Sequence, residues 1–369
     1  VIEHVEAVIA PPTFEEVYSQ KLEIVQAGVA DLAELVRAEA SQHGPYIDAS
    51  TEAYLSILEG GGKRTRGVLA VAGYELWGGD ANDGVIGLAA AAIEGIQTYA
   101  LVFDDAADRS DTRRGQPAAH IRMTAYLQDL ASPEDAVHLG QHIAMNEALT
   151  NQHRVQRLLA RLPASADRRL LAIDVLNDLM VLTGIGQQLD MFSTVRSDTT
   201  TEDARKIAQL KTAYYSVLMP LQIGAALAGA PAHELPSLEE YAVPAGYAFQ
   251  MRDDILGTFG VEGEMGKSNK TDLMEGKRTV LYLTAYEAAT ESQRHVLQTA
   301  LGNTALSDEH LAECQEIMRV TGVYDSMVVY AESYAQQAAN NIGYLADERP
   351  MKHIQFLQQM ALYGARRSK

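Results

Sequence analysis

The sequence predicts an all-helical fold in one large domain spanning residues 1–369. Three observations predict it: apolar residues recur at three- and four-residue steps, helix-start signals punctuate the middle, and sustained strand-type alternation is missing. Near the start, Leu22, Val25, Val29, Leu32 and Val36 form one apolar helical face. Near the end, Val323, Met327, Tyr330, Tyr334 and Ala338 repeat the pattern. Between them, Ser132-Pro133-Glu134-Asp135, Thr200 with Asp203, and Ser307-Asp308-Glu309 each pair a capping hydroxyl with first-turn acids. No Pro/Ser/Gly-rich linker, composition break or short repeat divides the chain.

With 47% hydrophobic and 21% charged residues, the chain has the make-up of a globular protein able to bury a large core. A net charge of −19 repels a nucleic-acid backbone, which argues against that class of partner. Cys314 is the single cysteine, so no intrachain disulfide forms, and a reducing cytoplasm is the expected compartment. The opening residues lack a basic region followed by an apolar one, so no signal peptide is expected. Residues 84–103 approach membrane-spanning length, but Glu94 and Gln97 interrupt them. Residues 214–230 hold Pro220 and Gln222. Both read as buried core helices, and no membrane span is expected.

Two acidic clusters carry the chemistry. In Asp104-Asp105-Ala106-Ala107-Asp108, residues 104 and 108 share one helical face at a helix C-terminus. Like charges there repel each other and the macrodipole, so a cation should compensate. A lone DDxxD also reads as a solvated acidic helix end, although Leu101-Val102-Phe103 imply burial up to that point. The second cluster is Asp253-Asp254, with Gln250 on the same face; Gln187 and Asp190 form a further polar pair. Buried acids are costly unless they hold a metal or a proton. Oxygen ligands without His or Cys favour Mg²⁺, which shares its shell with substrate phosphates.

The cations complement these acids. Gly60-Gly61-Gly62 leads into Lys63 and Arg66, read as lying on the first turns of a helix, a suitable phosphate cradle. A flexible turn into a basic surface helix is an equal reading of that segment alone. It lacks the GxxxxGK[ST] spacing of a Walker A loop. Arg113, Arg114, Lys211 and Lys267 add positive charge near the acids, so the locality suits a diphosphate–metal complex despite the acidic chain.

Six segments in order, GGGKRTR, DDAADRSDTRRGQPA, GQQLD, KTAYYS, FQMRDDILG and GKSNKTDLMEGKRT, resemble the motifs of the trans-isoprenyl diphosphate synthases, the family of farnesyl and geranylgeranyl diphosphate synthases. The resemblance implies helices packed around a deep central cavity, usually in a homodimer, and a Mg²⁺-dependent prenyltransferase, with Mn²⁺ as a substitute. The partners it implies are isopentenyl diphosphate and an allylic diphosphate (dimethylallyl, geranyl or farnesyl). By position, Lys63, Arg66, Gln97 and Arg114 match the residues that hold isopentenyl diphosphate. Asp104, Asp105 and Asp108 match the first metal motif, and Asp253 and Asp254 the second. Arg113, Lys211 and Lys267 match the cations on the allylic diphosphate. Thr212, Gln250 and the Lys211 carbonyl match the groups facing the carbocation, and Gln187 and Asp190 match supports of the metal and lysine shell.

One position departs from the pattern. Gly257 stands where the second motif usually has a third aspartate, and restoring that aspartate is expected to do little or to raise activity slightly. The Gly260–Gly266 loop and the Arg366–Lys369 tail are expected to close over the site. Product length is expected to be set one turn before the first motif, by Tyr99 and Ala100, since a helical turn rises about 5.4 Å, roughly one isoprene unit. In the family it resembles, an aromatic at the fifth position before the motif goes with C15 to C20 products, and small Ala100 argues against the tightest floor, so geranylgeranyl diphosphate is expected, with farnesyl diphosphate second. Tyr99 as an ordinary core aromatic is a competing reading. A terpene cyclase would share the acids but have no use for Lys63, Arg66 and Arg114. A non-catalytic subunit of a heteromeric synthase finds support only in Gly257.

Overall fold

The structure is a computed structural model and describes residues 12–260 and 268–367. Helices dominate those residues, and the strand pairing among them is a two-residue hairpin of Thr112–Arg113 against Gln116–Pro117. The three start signals act as expected. Ser132 Oγ accepts from the Asp135 N–H at 3.2 Å, and Ser307 Oγ accepts from the His310 N–H at 3.2 Å. Thr200 and Asp203 form a reciprocal capping box.

The two terminal faces differ in quality. Helix Phe14–Ala40 buries Val25, Val29, Leu32 and Val36, with Leu22 partly covered. Helix Val323–Asn341 buries Val323, Met327, Ala331, Ala335 and Ala338, so two alanines replace the tyrosines in the expected stripe. Tyr330 faces solvent, and Tyr334 flanks the stripe and packs on Tyr247 with ring centroids 5.4 Å apart. A close helix–helix approach favours alanine at the contact line, and periodicity weighted by side-chain size misplaces it by one residue.

Helix Val85–Ala107 runs through the main core, packed against Phe14–Ala40, Thr65–Leu76 and Pro133–Ala160. Its buried Glu94 is held by Arg64 at 3.1 Å and by the Gly67 N–H at 3.0 Å, which is how an apolar helix tolerates an acid. The C-terminal helices form a second apolar cluster. Helix Glu239–Phe259 joins the two, giving Ala242 and Ala245 to the first and Met251 and Ile255 to the second. Its acidic pair at 253–254 lies between Met251 and Ile255, on the side of the second cluster.

Two glycines bring three helices together behind the site. A Cβ on Gly186 of helix Ala166–Val195 would lie 2.7 Å from the Lys211 nitrogen, and one on Gly246 would overlap Ala213. Both helices thus rest directly on the backbone of Ala208–Leu218. That segment is a π-helix, with the following Met219 N–H donating to the Tyr214 carbonyl five residues back. Pro220 has no N–H for the Ser216 carbonyl, so regular α-helical bonding cannot run straight through the segment's end.

Among the described residues, two helices are long and apolar enough to cross a membrane, Val85–Ala107 and Ala166–Val195. The most apolar stretch of the first is 67% buried, as expected of a core helix; that of the second is only 28% buried. The second candidate from the sequence, residues 214–230, is instead divided between the π-helix and a short helix, Met219–Ala228.

Candidate active site

Of the predicted carboxylates, Asp190, Asp253 and Asp254 line a cavity of about 440 Å³ together with Arg113, Lys211, Thr212 and Gln250. A neighbouring cavity of about 750 Å³ shares Asp190 and Lys277 with it and reaches Asp108 and Gln187. Every acid of the first motif has a cation beside it. Arg113 bonds to Asp105 and lies 3.7 Å from Asp104 Oδ2. Lys211 Nζ is 2.7 Å from Asp190 Oδ2 and 3.7 Å from Asp104 Oδ1. Lys277 Nζ is 3.0 Å from Asp108 Oδ2 and 2.5 Å from Glu275 Oε2. Gln187 Nε2 reaches Asp104 Oδ1 at 3.5 Å. These contacts supply the compensation that two like charges at a helix C-terminus require.

Burial separates the three aspartates. Asp104 and Asp108 are partly accessible, whereas Asp105 is fully buried against Arg113. Burial alone would lower the pKa values of Lys211 and Lys277. The carboxylates around each outweigh it, led by Asp190 for Lys211 and by Asp108 for Lys277, and hold both above the usual lysine range. For Arg113 burial likewise opposes the charge, and the Asp105 bond overcomes it and raises the value.

On the facing helix a relay of bonds fixes the polar groups. Thr212 Oγ1 donates to Gln250 Oε1 at 2.6 Å, and Gln250 Nε2 donates to Asp254 Oδ1 at 2.8 Å. Asp254 is buried, and burial, with Asp272, Asp253 and Asp190 nearby, pushes its carboxyl up to about 8 despite the Gln250 bond. Asp253 is more accessible and is paired with Arg367 near the C-terminus, whose guanidinium lies 3.8 Å from the Phe249 ring centroid.

A second group of cations gathers around the Gly60–Arg66 segment; Arg64 there is taken up by Glu94, whereas Arg66 and Arg114 have partners of another kind. Arg66 donates to Ser216 Oγ at 2.7 Å and covers the Tyr215 ring at 4.6 Å. Tyr215 in turn donates to Gln97 Oε1 at 2.7 Å. Arg114 donates to the Ile57 carbonyl at 3.1 Å. Gly62, at φ 121°, admits it closely, since a Cβ there would stand 3.2 Å from the guanidinium carbon. Lys63 Nζ lies 5.6 Å from the Tyr363 ring centroid. Burial, with Arg64 as the nearest like charge, lowers Arg114 to about 10. Cations bonded to neutral oxygens and crowding one another form a site made for an anion.

Several expectations need correction or completion. Lys63 precedes its helix, which starts at Thr65, and Arg64 is the N-cap residue in the left-handed region at φ 52°. Lys267 lies outside the described residues, as do 261–266 of the expected closing loop and Ser368-Lys369 of the tail. Tyr99 packs on Phe103 with ring centroids 4.9 Å apart, and neither Tyr99 nor Ala100 lines the two cavities above. Gln97, Ala100, Leu101 and Asp104 nevertheless form, together with Tyr99 and Phe103, a partly exposed stripe on an otherwise largely buried helix. Lys277 and Asp272 join the site without having been singled out, and Arg367, from the expected closing tail, pairs with Asp253. The first two stand in the GKSNKTDLMEGKRT segment, whose length and charge were the available signal.

Among the described residues, no three His, Cys, Asp or Glu side chains converge into a ready-made metal cage. Mg²⁺ takes one or two carboxylates and completes its shell with water and substrate phosphate. The donor set, all carboxylate and amide oxygens on facing helices, fits that ion.

The family model described as polyprenyl synthetase matches residues 48–318. A geranylgeranyl diphosphate synthase of Saccharolobus solfataricus is 31% identical over 320 residues, 84% of this chain and 89% of that one. A farnesyl pyrophosphate synthase 1 of Parthenium argentatum is 30% identical over 275 residues, 72% of this chain and 76% of that one. A solved geranylgeranyl pyrophosphate synthase of Corynebacterium glutamicum, complexed with isoprenyl diphosphate and magnesium, superposes with a TM-score of 0.86 at 26% identity, covering 94% and 99% of the two chains.

Proposed function

The chain belongs to the polyprenyl synthetase family, and on that footing we propose that it is a Mg²⁺-dependent trans-prenyltransferase that adds isopentenyl diphosphate to an allylic diphosphate, with geranylgeranyl diphosphate as its main product. The observation that carries the reading is the pairing of two unlike cation groups. Arg113, Lys211 and Lys277 sit on carboxylates, while Arg66 and Arg114 sit on neutral oxygens. The first arrangement suits a diphosphate brought with metal, the second a diphosphate held by cations alone. A cyclase needs only the first.

In this reading Asp104, Asp108 and Asp253 hold the metal, with Asp105 and Asp254 behind them. When bound, Mg²⁺ would supply Lewis-acid neutralisation of the leaving diphosphate. Arg113, Lys211 and Lys277 exchange carboxylate partners for diphosphate oxygens as the allylic C–O bond breaks, so charge is met by groups already in place. The Thr212–Gln250–Asp254 relay holds its oxygens toward the allylic carbon. The carbon–carbon bond then forms to the double bond of isopentenyl diphosphate, and transfer of a proton to the departed diphosphate restores a double bond. Lys63, Arg66, Gln97 and Arg114 orient isopentenyl diphosphate for the attack.

Incubation with isopentenyl diphosphate and each allylic diphosphate in turn should yield longer prenyl diphosphates in Mg²⁺ and none in chelator. Product formation at full rate in chelator, or no consumption of isopentenyl diphosphate, would end the reading.

For product length, the partly exposed stripe through Ala100 supports a chain path along this helix, with Tyr99–Phe103 as its floor. Tyr99→Ala should give products longer than geranylgeranyl diphosphate, and Ala100→Phe should shift them toward farnesyl diphosphate. General destabilisation cannot move products in opposite directions. Active variants with unchanged products would place the floor on another helix.

The exposed apolar side of Ala166–Val195, with Val181, Phe192 and Val195 each at least 60% exposed, supports a homodimer through this face. Phe192→Asp should then lower the sedimenting mass toward that of one chain; a monomeric parent protein would refute the dimer.

A further inference from the structure

The first turn of helix Thr65–Leu76 is capped from another helix. Its N-cap residue, Arg64, makes no capping bond with its side chain, and the first amides of a helix have no partner within it. The third of them, the Gly67 N–H, donates at 3.0 Å to Glu94 Oε1, which belongs to the core helix Val85–Ala107. The other oxygen of that carboxylate accepts from Arg64 at 3.1 Å, and the Arg64 guanidinium also donates to the Leu58 carbonyl. Both side chains of the pair are buried, at 4% and 3% exposure. Arg64 holds a left-handed backbone, at φ 52°, which a residue with a Cβ keeps only where its surroundings impose it. Its guanidinium is thus drawn into the core between two cations of the proposed site, Lys63 before it and Arg66 after it.

We infer that Glu94 and Arg64 are positioning residues: their buried ion pair fixes the turn from which Lys63 and Arg66 project, and so sets how tightly isopentenyl diphosphate is held. The inference rests on the reading of those cations as the isopentenyl diphosphate site. A carboxylate in this place has two conceivable roles, and they predict opposite signs. Arg114 feels both members of the pair: burial first, then Arg64, lowers it to about 10, while Glu94 works in the other direction. As a bare charge, Glu94 offsets the cations and repels a diphosphate, so its removal should tighten binding. As a positioning group it holds the turn, so its removal should loosen binding although the site becomes more positive. The geometry points to the second role. One oxygen of Glu94 is taken by a helix amide and the other by Arg64, so its charge is answered where it stands.

The test compares Michaelis constants in the full chain. Glu94→Gln keeps an oxygen for the Gly67 N–H but turns an amide donor toward Arg64, so the ion pair is lost while the cap remains. The constant for isopentenyl diphosphate should rise about 10-fold, the equivalent of one weakened hydrogen bond to a charged group. Turnover at saturating substrate and the constant for the allylic diphosphate should stay within about threefold of the parent, since only binding at one site is loosened. The double variant Arg64→Met with Glu94→Gln removes one charge of each sign, so its net charge is the parent's, and the isopentenyl diphosphate constant should rise there too. It also leaves no buried charge without a partner, which protects the fold, and melting temperatures identify the folded variants. A merely structural defect would reduce the amount of active enzyme, and hence turnover with both substrates, without moving one constant alone. A lowered isopentenyl diphosphate constant in Glu94→Gln would make the role purely electrostatic. A parental constant in the folded double variant would mean that the turn keeps its shape without the pair. Either result, or equal rises for both substrates, would overturn the inference while leaving the enzyme reading intact. A parent protein that consumes no isopentenyl diphosphate would overturn both.

Discussion

Asp104→Ala should lower turnover by about a thousandfold or more, since a loss of about 4 kcal/mol of transition-state stabilisation corresponds to three powers of ten. Asp104 stands where Arg113, Lys211 and Gln187 converge, at 3.7, 3.7 and 3.5 Å. Two explanations of that carboxylate predict different results. If it only anchors cations, its removal costs little, because Lys211 keeps Asp190 and Arg113 keeps Asp105. If it holds metal, the cations remain in place and turnover still collapses. The side chain is 23% exposed, so the fold should tolerate the change and the melting temperature should move little. Single-turnover rates at saturating Mg²⁺ decide the matter, and Asp104→Asn should behave like the alanine variant. Near-parental turnover in a folded protein would remove Asp104 from the metal site.

Local features of the fold were legible because their causes are local. A capping hydroxyl and the acids of the following turn act within one turn, so Ser132, Thr200 and Ser307 could be read without tertiary knowledge. The π-helix of Ala208–Leu218 could not. Bonding to the fifth preceding carbonyl rather than the fourth is decided by what presses on the backbone, here the helices admitted by Gly186 and Gly246. Glu94 was read as an interruption of an apolar run, and its partner Arg64, thirty residues earlier, explains it only once the helices are packed. The acids of the site were visible through their same-face spacing. Lys277 and Asp272 were not, because neither belongs to a helical stripe with the others. They enter the site through a turn whose geometry no periodicity encodes.

Arg66→Gln should raise the Michaelis constant for isopentenyl diphosphate by about 10- to 150-fold, the equivalent of about 1.5–3 kcal/mol for a hydrogen bond to a charged group. Lys63→Ala should do the same, and neither should change the constant for the allylic diphosphate by more than about threefold, within the error of treating distant sites as independent. The asymmetry follows from how the cations are bonded. Arg113, Lys211 and Lys277 sit on carboxylates and are neutralised before substrate arrives. Arg66 gives its hydrogen bond to a serine hydroxyl and its face to Tyr215. Arg114, beside it, is lowered to about 10 first by burial and then by repulsion from Arg64, which Glu94 only partly offsets. A diphosphate entering here relieves that repulsion, so each cation removed weakens the hold on isopentenyl diphosphate and leaves the metal side untouched. Arg66→Lys should recover only part of the loss, because a point charge cannot reproduce a planar fork that also stacks on an aromatic ring. Equal losses for both substrates would mean that the two cation groups form one site, and an unchanged constant for isopentenyl diphosphate would place its diphosphate elsewhere.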